Sequence, residues 1–187
     1  MLMRNKLLKK AITCGLVLLV TSFAFGTEDV VTAVHGTITK LETETRTVVV
    51  KTADGTEHSM RFLDKTAVHG AHAVGGAAKE SFHGLKEGAE VIAHYSEKGG
   101  RTTALEIDQV GNEGLKGTEG TISKLDRAGK TIAVKTADGT EHTFELTERA
   151  AKDGGKDIDE DTEKGTRVVV YSTEKAGKDV AHFFEKM

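Results

Sequence analysis

The sequence predicts an all-β protein in which two tandem five-stranded small β-barrel modules follow a signal peptide. Three observations predict this fold class. The chain opens with a basic and then apolar segment, it repeats itself internally, and each repeat contains short stretches of alternating apolar and polar residues joined by glycine-containing turns. We place the signal peptide at residues 1–26, module 1 at residues 30–111 and module 2 at residues 117–187.

The first residues have the composition of an export signal. Four basic residues fall within residues 4–10, and residues 11–25 are almost wholly apolar. Ala24 and Gly26 put small side chains where a signal peptidase cuts, so cleavage is expected before Thr27. The apolar run is shorter than the roughly 20 residues that a spanning helix needs. The alternative is an uncleaved N-terminal anchor.

Cleavage would change the charge and the chemistry of the chain. The sequence has 26 Lys+Arg and 29 Asp+Glu, and losing four basic and no acidic residues leaves 22 against 29, a net charge of −7 with histidine neutral. Cys14 is the only cysteine, so its loss excludes disulfides, thiolate metal sites and a cysteine nucleophile. An acidic surface argues against nucleic acid and anionic lipid as partners. No second apolar stretch could span a membrane, so we expect a periplasmic or secreted protein.

The two modules are copies of one unit. Residues 36–58 and 120–142 are identical at 15 of 23 positions, and the octapeptide KTADGTEH occurs in both. The match loosens and resumes after a seven-residue deletion, where residues 90–100 align with residues 167–177. Two repeats are too few for a solenoid, so each unit is expected to form one small domain.

Five short strands are expected in each unit. In module 1 they cover residues 30–41, 47–52, 56–62, 90–96 and 102–110. An Asp-Gly turn joins the second and third strands, because glycine accepts the positive φ that the turn requires. On the third strand His58, Met60 and Phe62 should share one face. The long segment before the fourth strand, residues 64–87, is rich in alanine and glycine. We expect it to form a loop that holds at most a short helix.

Five short strands with one long connection suit a small closed or partly open barrel, and closure would hide the edges that an open sheet exposes. Gly36 and Gly120 lie inside the first strands, where a tightly coiled barrel strand needs glycine. Both observations favour a barrel over an open sheet.

The order of motifs in each unit resembles a known group of domains. G-T-I-x-K-L is followed by T-(V/I)-x-V-K-T-A-D-G-T-E-H, then by G-x-x-V, a late glycine and a final strand. This pattern resembles the tandem small β-barrel domains of uncharacterised exported bacterial proteins. It is more distantly similar to the periplasmic copper chaperone of copper/silver efflux systems, a barrel of the oligonucleotide/oligosaccharide-binding (OB) type. The resemblance covers most of the chain after the signal and implies that the modules are OB-like.

The copper site of that chaperone family is not expected here. The family holds copper with a histidine, two methionines and a tryptophan. In this sequence Met60 is the only methionine of module 1, Phe144 replaces it in module 2, and tryptophan is absent. The resemblance therefore supports a fold and not a ligand set.

Histidine is unevenly distributed, with six of eight residues in or beside module 1. His69 and His72 stand close together in the long loop, and His83 lies at its far end. Neutral imidazoles suit Zn²⁺, Cu²⁺ or Ni²⁺, and a glycine-rich loop lets ligands converge. The candidate metal site is His69, His72 and His83, completed by His58 or His94. The alternative is solvated loop histidines, since the spacing matches no tight ligand motif.

His58 and His142 occupy the same place in the two units, beside apolar residues on the third strand. A polar ring on an inward face needs a hydrogen-bond partner. The preferred interpretation is a histidine at the barrel rim, bonded to the adjacent hairpin at Asp54 or Thr56 in module 1.

No catalytic arrangement is present, because the sequence has no nucleophile elbow, no H-E-x-x-H helix and no phosphate-binding glycine loop. We therefore expect a non-enzymatic, exported binding or interaction protein whose partner is an unidentified protein or small ligand. The second hypothesis is a periplasmic transition-metal-binding protein that uses the histidines of module 1, and a third is a hydrolase with an unrecognised site. No cofactor is expected under the first hypothesis, and Cu, Zn or Ni under the second.

Overall fold

The computed structural model describes residues 31–70, 82, 84–112, 114–158 and 164–187. The predicted signal peptide and the alternative anchor lie outside the described residues. Within them, no helix is both long and apolar enough to cross a membrane.

The described chain consists mainly of β-strands. Its strands and its helix of defined bounds are β1 Val31–Glu42, β2 Thr47–Lys51, β3 Glu57–His69, β4 Glu90–Lys98, β5 Arg101–Gln109, β6 Lys116–Asp126, β7 Thr131–Lys135, β8 Glu141–Leu146, α1 Glu148–Asp153, β9 Arg167–Lys175 and β10 Lys178–Lys186.

The strands close into two rings of five. Barrel 1, formed by β1 to β5, has the order β1-β2-β3-β5-β4, and β4 returns to pair with β1. Barrel 2, formed by β6 to β10, closes in the equivalent order β6-β7-β8-β10-β9. The β3–β5 and β8–β10 pairs are parallel. The prediction of a mostly β protein with a closed five-stranded barrel is confirmed.

Each barrel has its own apolar core, filled by alternate residues of its strands. On β3, Met60 and Phe62 are buried whereas Glu57 and Arg61 are exposed, as the alternation predicted. The same alternation on β8 buries Phe144 and its neighbours on that face. Burial of such apolar side chains contributes roughly 1.5–3 kcal/mol each, so the repeated pattern accounts for both cores.

Two repeated glycines do what the sequence predicted. Gly55, in the turn between β2 and β3, has φ +88°, and Gly139 repeats it in barrel 2 with φ +89°. Gly36 lies where the crossing backbone leaves no room for a side chain, because a Cβ there would stand 2.3 Å from the carbonyl oxygen of Lys51. Gly120 is the equivalent residue in β6, with a separation of 2.9 Å from the Lys135 oxygen.

The third strand is longer than predicted, because β3 continues past Phe62 to His69. Its pairing with β5 shifts register between Phe62 and Ala67 and then resumes. Thr66 bridges the irregularity: its hydroxyl accepts from Leu63 N and donates to Ala104 O. The buried and exposed alternation resumes at Thr66, a signal that the sequence analysis assigned to a loop. In barrel 2 the corresponding segment forms α1 instead, capped by Thr147.

Candidate functional site

The two barrels meet through an apolar contact between β4 of barrel 1 and β9 and β10 of barrel 2. Ile92 on β4 packs with Tyr171 on β9, Phe183 on β10 and Leu115, which lies in the connector between β5 and β6 (residues 110–115), and all four are buried. Val169, which the repeat aligns with Ile92, packs on the same cluster. The equivalent strands β4 and β9 therefore both contribute to the contact.

Beside this apolar contact lies a cluster of four polar side chains, which we call the junction site. Its members come from the end of β3, from β5 and from β10, and are His69, Glu106, Asp108 and His182. One ligand atom from each lies within 4.8 Å of the corresponding atom of every other member.

Strand geometry brings these residues together. The parallel β3–β5 pairing sets His69 opposite Asp108, with Glu106 two residues earlier on β5. On β10 the pairing with β9 shifts between Ala181 and Phe183, which leaves His182 as the extra residue of a bulge. Because a bulge redirects the side chain that it carries, His182 of barrel 2 faces Asp108 of barrel 1.

Distances within the junction site are short. His69 Nδ1 lies 2.6 Å from Asp108 Oδ1 and 3.2 Å from Glu106 Oε1. His182 Nδ1 lies 3.7 Å from Asp108 Oδ2, which is too far for a hydrogen bond. Tetrahedral ligands at about 2.0–2.1 Å from a zinc ion are about 3.3 Å apart, so the four donors need to move little to surround an ion.

Neighbouring side chains hold the ligands in place. The Thr173 hydroxyl lies 3.1 Å from His182 Nε2, which leaves His182 Nδ1 directed at the site. Arg149 of barrel 2 pairs with Glu106 through Oε2, while Glu106 Oε1 faces His69. Metal-ligating histidines characteristically have the second ring nitrogen held in this way.

Asp108 is the most unusual member of the junction site. Its side chain is fully buried, and its Oδ2 makes no hydrogen bond to any described residue. A buried carboxylate oxygen without a partner is costly unless a cation or a donor compensates it. Asp108 therefore marks the place where a positive charge is best accommodated.

The proton on His69 compensates part of the negative charge of Asp108. Hydrogen bonds to Asp108 and Glu106 raise the pKa of His69 to about 10. Burial raises the pKa of Glu106, but the hydrogen bond from His69 and the charge of Arg149 outweigh it, so that this pKa lies below its usual value. A metal ion would have to displace the His69 proton, and metal ligands are deprotonated as they bind.

A second buried polar pair lies behind the junction site. His94, on β4, is 1% exposed, and burial lowers its pKa despite nearby carboxylates. Its Nδ1 lies 4.0 Å from Asp153 Oδ2 of α1, and neither atom makes a hydrogen bond to a described residue. The ring of Phe183 packs edge-on against it. Burial at the barrel contact thus disfavours the charged form of His94.

The structure brings together only part of the predicted ligand set. His69 belongs to the junction site, whereas His72 and His83 lie outside the described residues. His58 does not join His69; its ring packs against Tyr95 at 5.9 Å between centroids.

The expected bond from His58 to the hairpin is not formed either. Asp54 accepts hydrogen bonds from Thr52 and Thr56 instead.

The sequence analysis missed Glu106, Asp108 and His182. The first two could have been suspected, because Glu106 and Asp108 alternate with apolar residues in a strand whose neighbours are buried. His182 could not, since the bulge that turns it towards barrel 1 leaves no mark in the sequence.

Another polar bridge joins the barrels on the opposite side of the apolar contact. His35 Nδ1 lies 2.7 Å from Glu185 Oε1 of barrel 2, and its Nε2 lies 2.7 Å from Glu90 Oε1 of barrel 1. The Tyr171 hydroxyl donates to Glu185 Oε1 at 3.1 Å. Both ring nitrogens can donate only when the imidazole is protonated, so the bridge requires a charged His35. We call it the His35 bridge.

Chemically, the junction site offers two imidazole nitrogens and two carboxylates. This donor set suits Zn²⁺, Ni²⁺ and Cu²⁺, and it contains none of the soft sulfur ligands that select Cu(I). A cavity of about 60 Å³ lined in part by His69, Leu115 and Thr173 opens beside the site. Such a cavity would admit an ion with a few waters.

No protein-family model matches the sequence, and no curated protein is significantly similar to it.

Proposed function

We propose that this protein is an exported, non-catalytic binding protein whose ligand is one divalent transition-metal ion, Zn²⁺ in the first instance, held at the junction site. One observation carries the proposal: four donor side chains converge within 4.8 Å around a buried carboxylate oxygen that has no hydrogen-bond partner among the described residues. Of the three hypotheses drawn from the sequence, the geometry favours metal binding.

The number of ligands supports a binding role over a catalytic one. Structural zinc sites use four protein ligands, whereas catalytic sites keep a position open for water or substrate. The junction site supplies four and lies between two barrels beside a cavity of only about 60 Å³. A substrate much larger than a few waters would not reach the ion from that cavity.

The location and the type of barrel belong to the same proposal. Export is supported by the basic and apolar residues 1–26, and the acidic balance of the remaining chain supports a partner other than nucleic acid. An OB-like barrel is supported by the closed five-stranded order with a parallel β3–β5 pair.

The interaction-module hypothesis is the second candidate. It is supported by a groove of about 630 Å³ between the barrels, whose walls include His35, His58, Asp157 and Glu185. A small polar ligand or a peptide could lie there. This candidate requires no metal, so metal titration separates the two.

The test is isothermal titration of the protein with Zn²⁺, Ni²⁺ and Cu²⁺ at pH 7.5. We expect one site per chain for Zn²⁺. Asp108→Asn keeps the shape of the side chain and removes its charge, and it should weaken binding by more than the roughly 10–100-fold that outer-shell partners cost. His69→Ala, at a half-exposed position that the fold tolerates, should do the same.

The matched control is His58→Ala, which removes a histidine of barrel 1 outside the junction site. It should leave the affinity unchanged. Absence of binding, or equal losses in His58→Ala and His69→Ala, would reject the junction site and favour the interaction-module candidate.

A further inference from the structure

We infer that an ion at the junction site ties barrel 2 to barrel 1, so that metal occupancy controls how rigidly the two barrels are docked. The inference rests on the proposed function and adds a consequence to it: the bound ion acts as a regulatory ligand of the barrel–barrel contact.

The ligands of the junction site come from both barrels. His69, Glu106 and Asp108 belong to barrel 1, and His182 alone belongs to barrel 2. A site in which all four residues bind one ion can form only when the two barrels are docked. By linkage, an ion that binds the docked state more tightly must stabilise that state.

The ion would strengthen the contact between His182 and Asp108. His182 Nδ1 and Asp108 Oδ2 face each other across the junction at 3.7 Å without a hydrogen bond. A cation between these atoms would replace a weak contact with two coordinate bonds. It would also compensate the buried oxygen of Asp108, which otherwise opposes docking.

The rest of the interface between the barrels combines a small apolar contact with polar contacts. Its apolar part consists of four buried side chains and the partly buried Ala33, Val110 and Val169, and polar contacts flank it. The Lys156 ammonium donates to the Val31 carbonyl at 2.9 Å, and Arg149 pairs with Glu106. Domains joined by contacts of this kind move relative to each other unless the interface is large and apolar.

The connector keeps the fourth ligand near the other three. Val110 pairs with Leu115 as an isolated bridge, and Leu115 N donates to Gln109 O at 2.7 Å. The connector therefore begins two residues after Asp108. A short, hydrogen-bonded connector keeps the local concentration of His182 high, so a single added ligand is enough to close the site.

The test measures the distance between the barrels with paired spin labels. Glu57 and Glu141 are equivalent exposed residues on β3 and β8, and they carry the labels as Glu57→Cys and Glu141→Cys in the full chain with Cys14→Ser. Zn²⁺ is diamagnetic and leaves the labels unaffected. We expect saturating Zn²⁺ to narrow the distance distribution about twofold relative to protein in EDTA.

His182→Ala is the variant that separates binding from docking. The three ligands of barrel 1 should still bind Zn²⁺, but with an affinity reduced by more than the roughly 10–100-fold that an outer-shell partner costs, because His182 is a direct ligand. Saturating Zn²⁺ should then leave the distance distribution unchanged. His69→Ala, which removes a ligand of barrel 1, should lose both binding and narrowing.

The outcomes distinguish the inference from the proposed function. If the labelled protein binds Zn²⁺ but its distribution does not narrow, the docking inference is wrong and the metal site stands. If Zn²⁺ narrows the distance distribution of His182→Ala as much as that of the parent, His182 does not couple metal binding to docking of the barrels. If titration detects no binding, the proposed function and the inference fall together.

Discussion

His182 Nδ1 of β10 lies 3.7 Å from Asp108 Oδ2 of β5, across the contact between the two barrels. Strand pairing makes Leu105 the counterpart of His182 and Glu185 the counterpart of Asp108 in the two copies. The two barrels share one strand order, but their sequences differ at the bulge and at the end of the fifth strand, which makes their contact asymmetric. The junction site exists only because the copies differ.

Thr173 should act as a positioning residue for this site. Its hydroxyl lies 3.1 Å from His182 Nε2, so Thr173→Val removes the partner that directs Nδ1 towards Asp108. We expect Zn²⁺ affinity to fall about 10–100-fold, with the melting temperature nearly unchanged. Thr173→Ser, which keeps the hydroxyl, should restore the affinity. An unaltered affinity in Thr173→Val would show that His182 needs no such support.

The His35 bridge should make stability depend on pH. Burial lowers the pKa of His35, but hydrogen bonds and charges from Glu185 and Glu90 outweigh it and raise the pKa above 6.5. A raised folded-state pKa means that the contribution is complete below pH 6.5 and is lost as the pH rises through the folded-state value.

Urea unfolding in EDTA, compared between the parent and His35→Gln at pH 5.5 and pH 9, measures this effect. Hydrogen bonds to charged groups contribute about 1.5–3 kcal/mol, so we expect a difference of that order at pH 5.5 and a smaller one at pH 9. EDTA removes any contribution from metal. A difference that stays constant between the two pH values would contradict the charged bridge.

Alanine at Gly36 should destabilise the fold strongly, whereas alanine at Gly117 should leave its stability almost unchanged. In Gly36→Ala the new Cβ would stand 2.3 Å from the Lys51 carbonyl oxygen, so the strand crossing must open at a cost above the usual overpacking penalty of about 1–3 kcal/mol. Gly117→Ala is the control, because its nearest atom is 3.5 Å away and the repeat has Ala33 at that position. Chemical denaturation should find Gly117→Ala within about 0.5 kcal/mol of the parent. Equal losses of unfolding free energy in the two variants would mean that the Lys51 carbonyl leaves room for a side chain at Gly36.

The loop histidines provide a direct comparison of the predicted and the observed ligand sets. Because the junction site already supplies four donors, the double variant His72→Ala/His83→Ala should bind Zn²⁺ within about threefold of the parent. Titration of both proteins under the same conditions measures this. A loss as large as that of His69→Ala would favour the ligand set predicted from the sequence.

The fold was predictable where local chemistry determines it. The repeated Asp-Gly turns and the period-two burial on β3 follow from residues that are neighbours in the chain, and both were predicted. The extension of β3 to His69 was not, because the register shift after Phe62 depends on pairing with β5, far away in sequence.

The candidate site was predictable only in part, for the same reason. Histidine type and loop position pointed to His69, but its partners come from a parallel strand pairing and from the other barrel. Glu106 and Asp108 meet His69 through the β3–β5 register, and His182 reaches it through a bulge. A bulge and a domain contact are set by tertiary packing, which no local pattern encodes.

X-ray absorption spectroscopy of the protein loaded with one equivalent of Zn²⁺ tests the central claim most directly, because it reports the ligands of the bound ion. We expect four nitrogen or oxygen ligands at about 2.0–2.1 Å, no sulfur, and the outer-shell scattering of two imidazoles. The same measurement on His69→Ala/His182→Ala should lose the imidazole scattering. Fewer than two imidazoles in the parent, or an unchanged spectrum in the double variant, would contradict a metal centre built from His69, Glu106, Asp108 and His182.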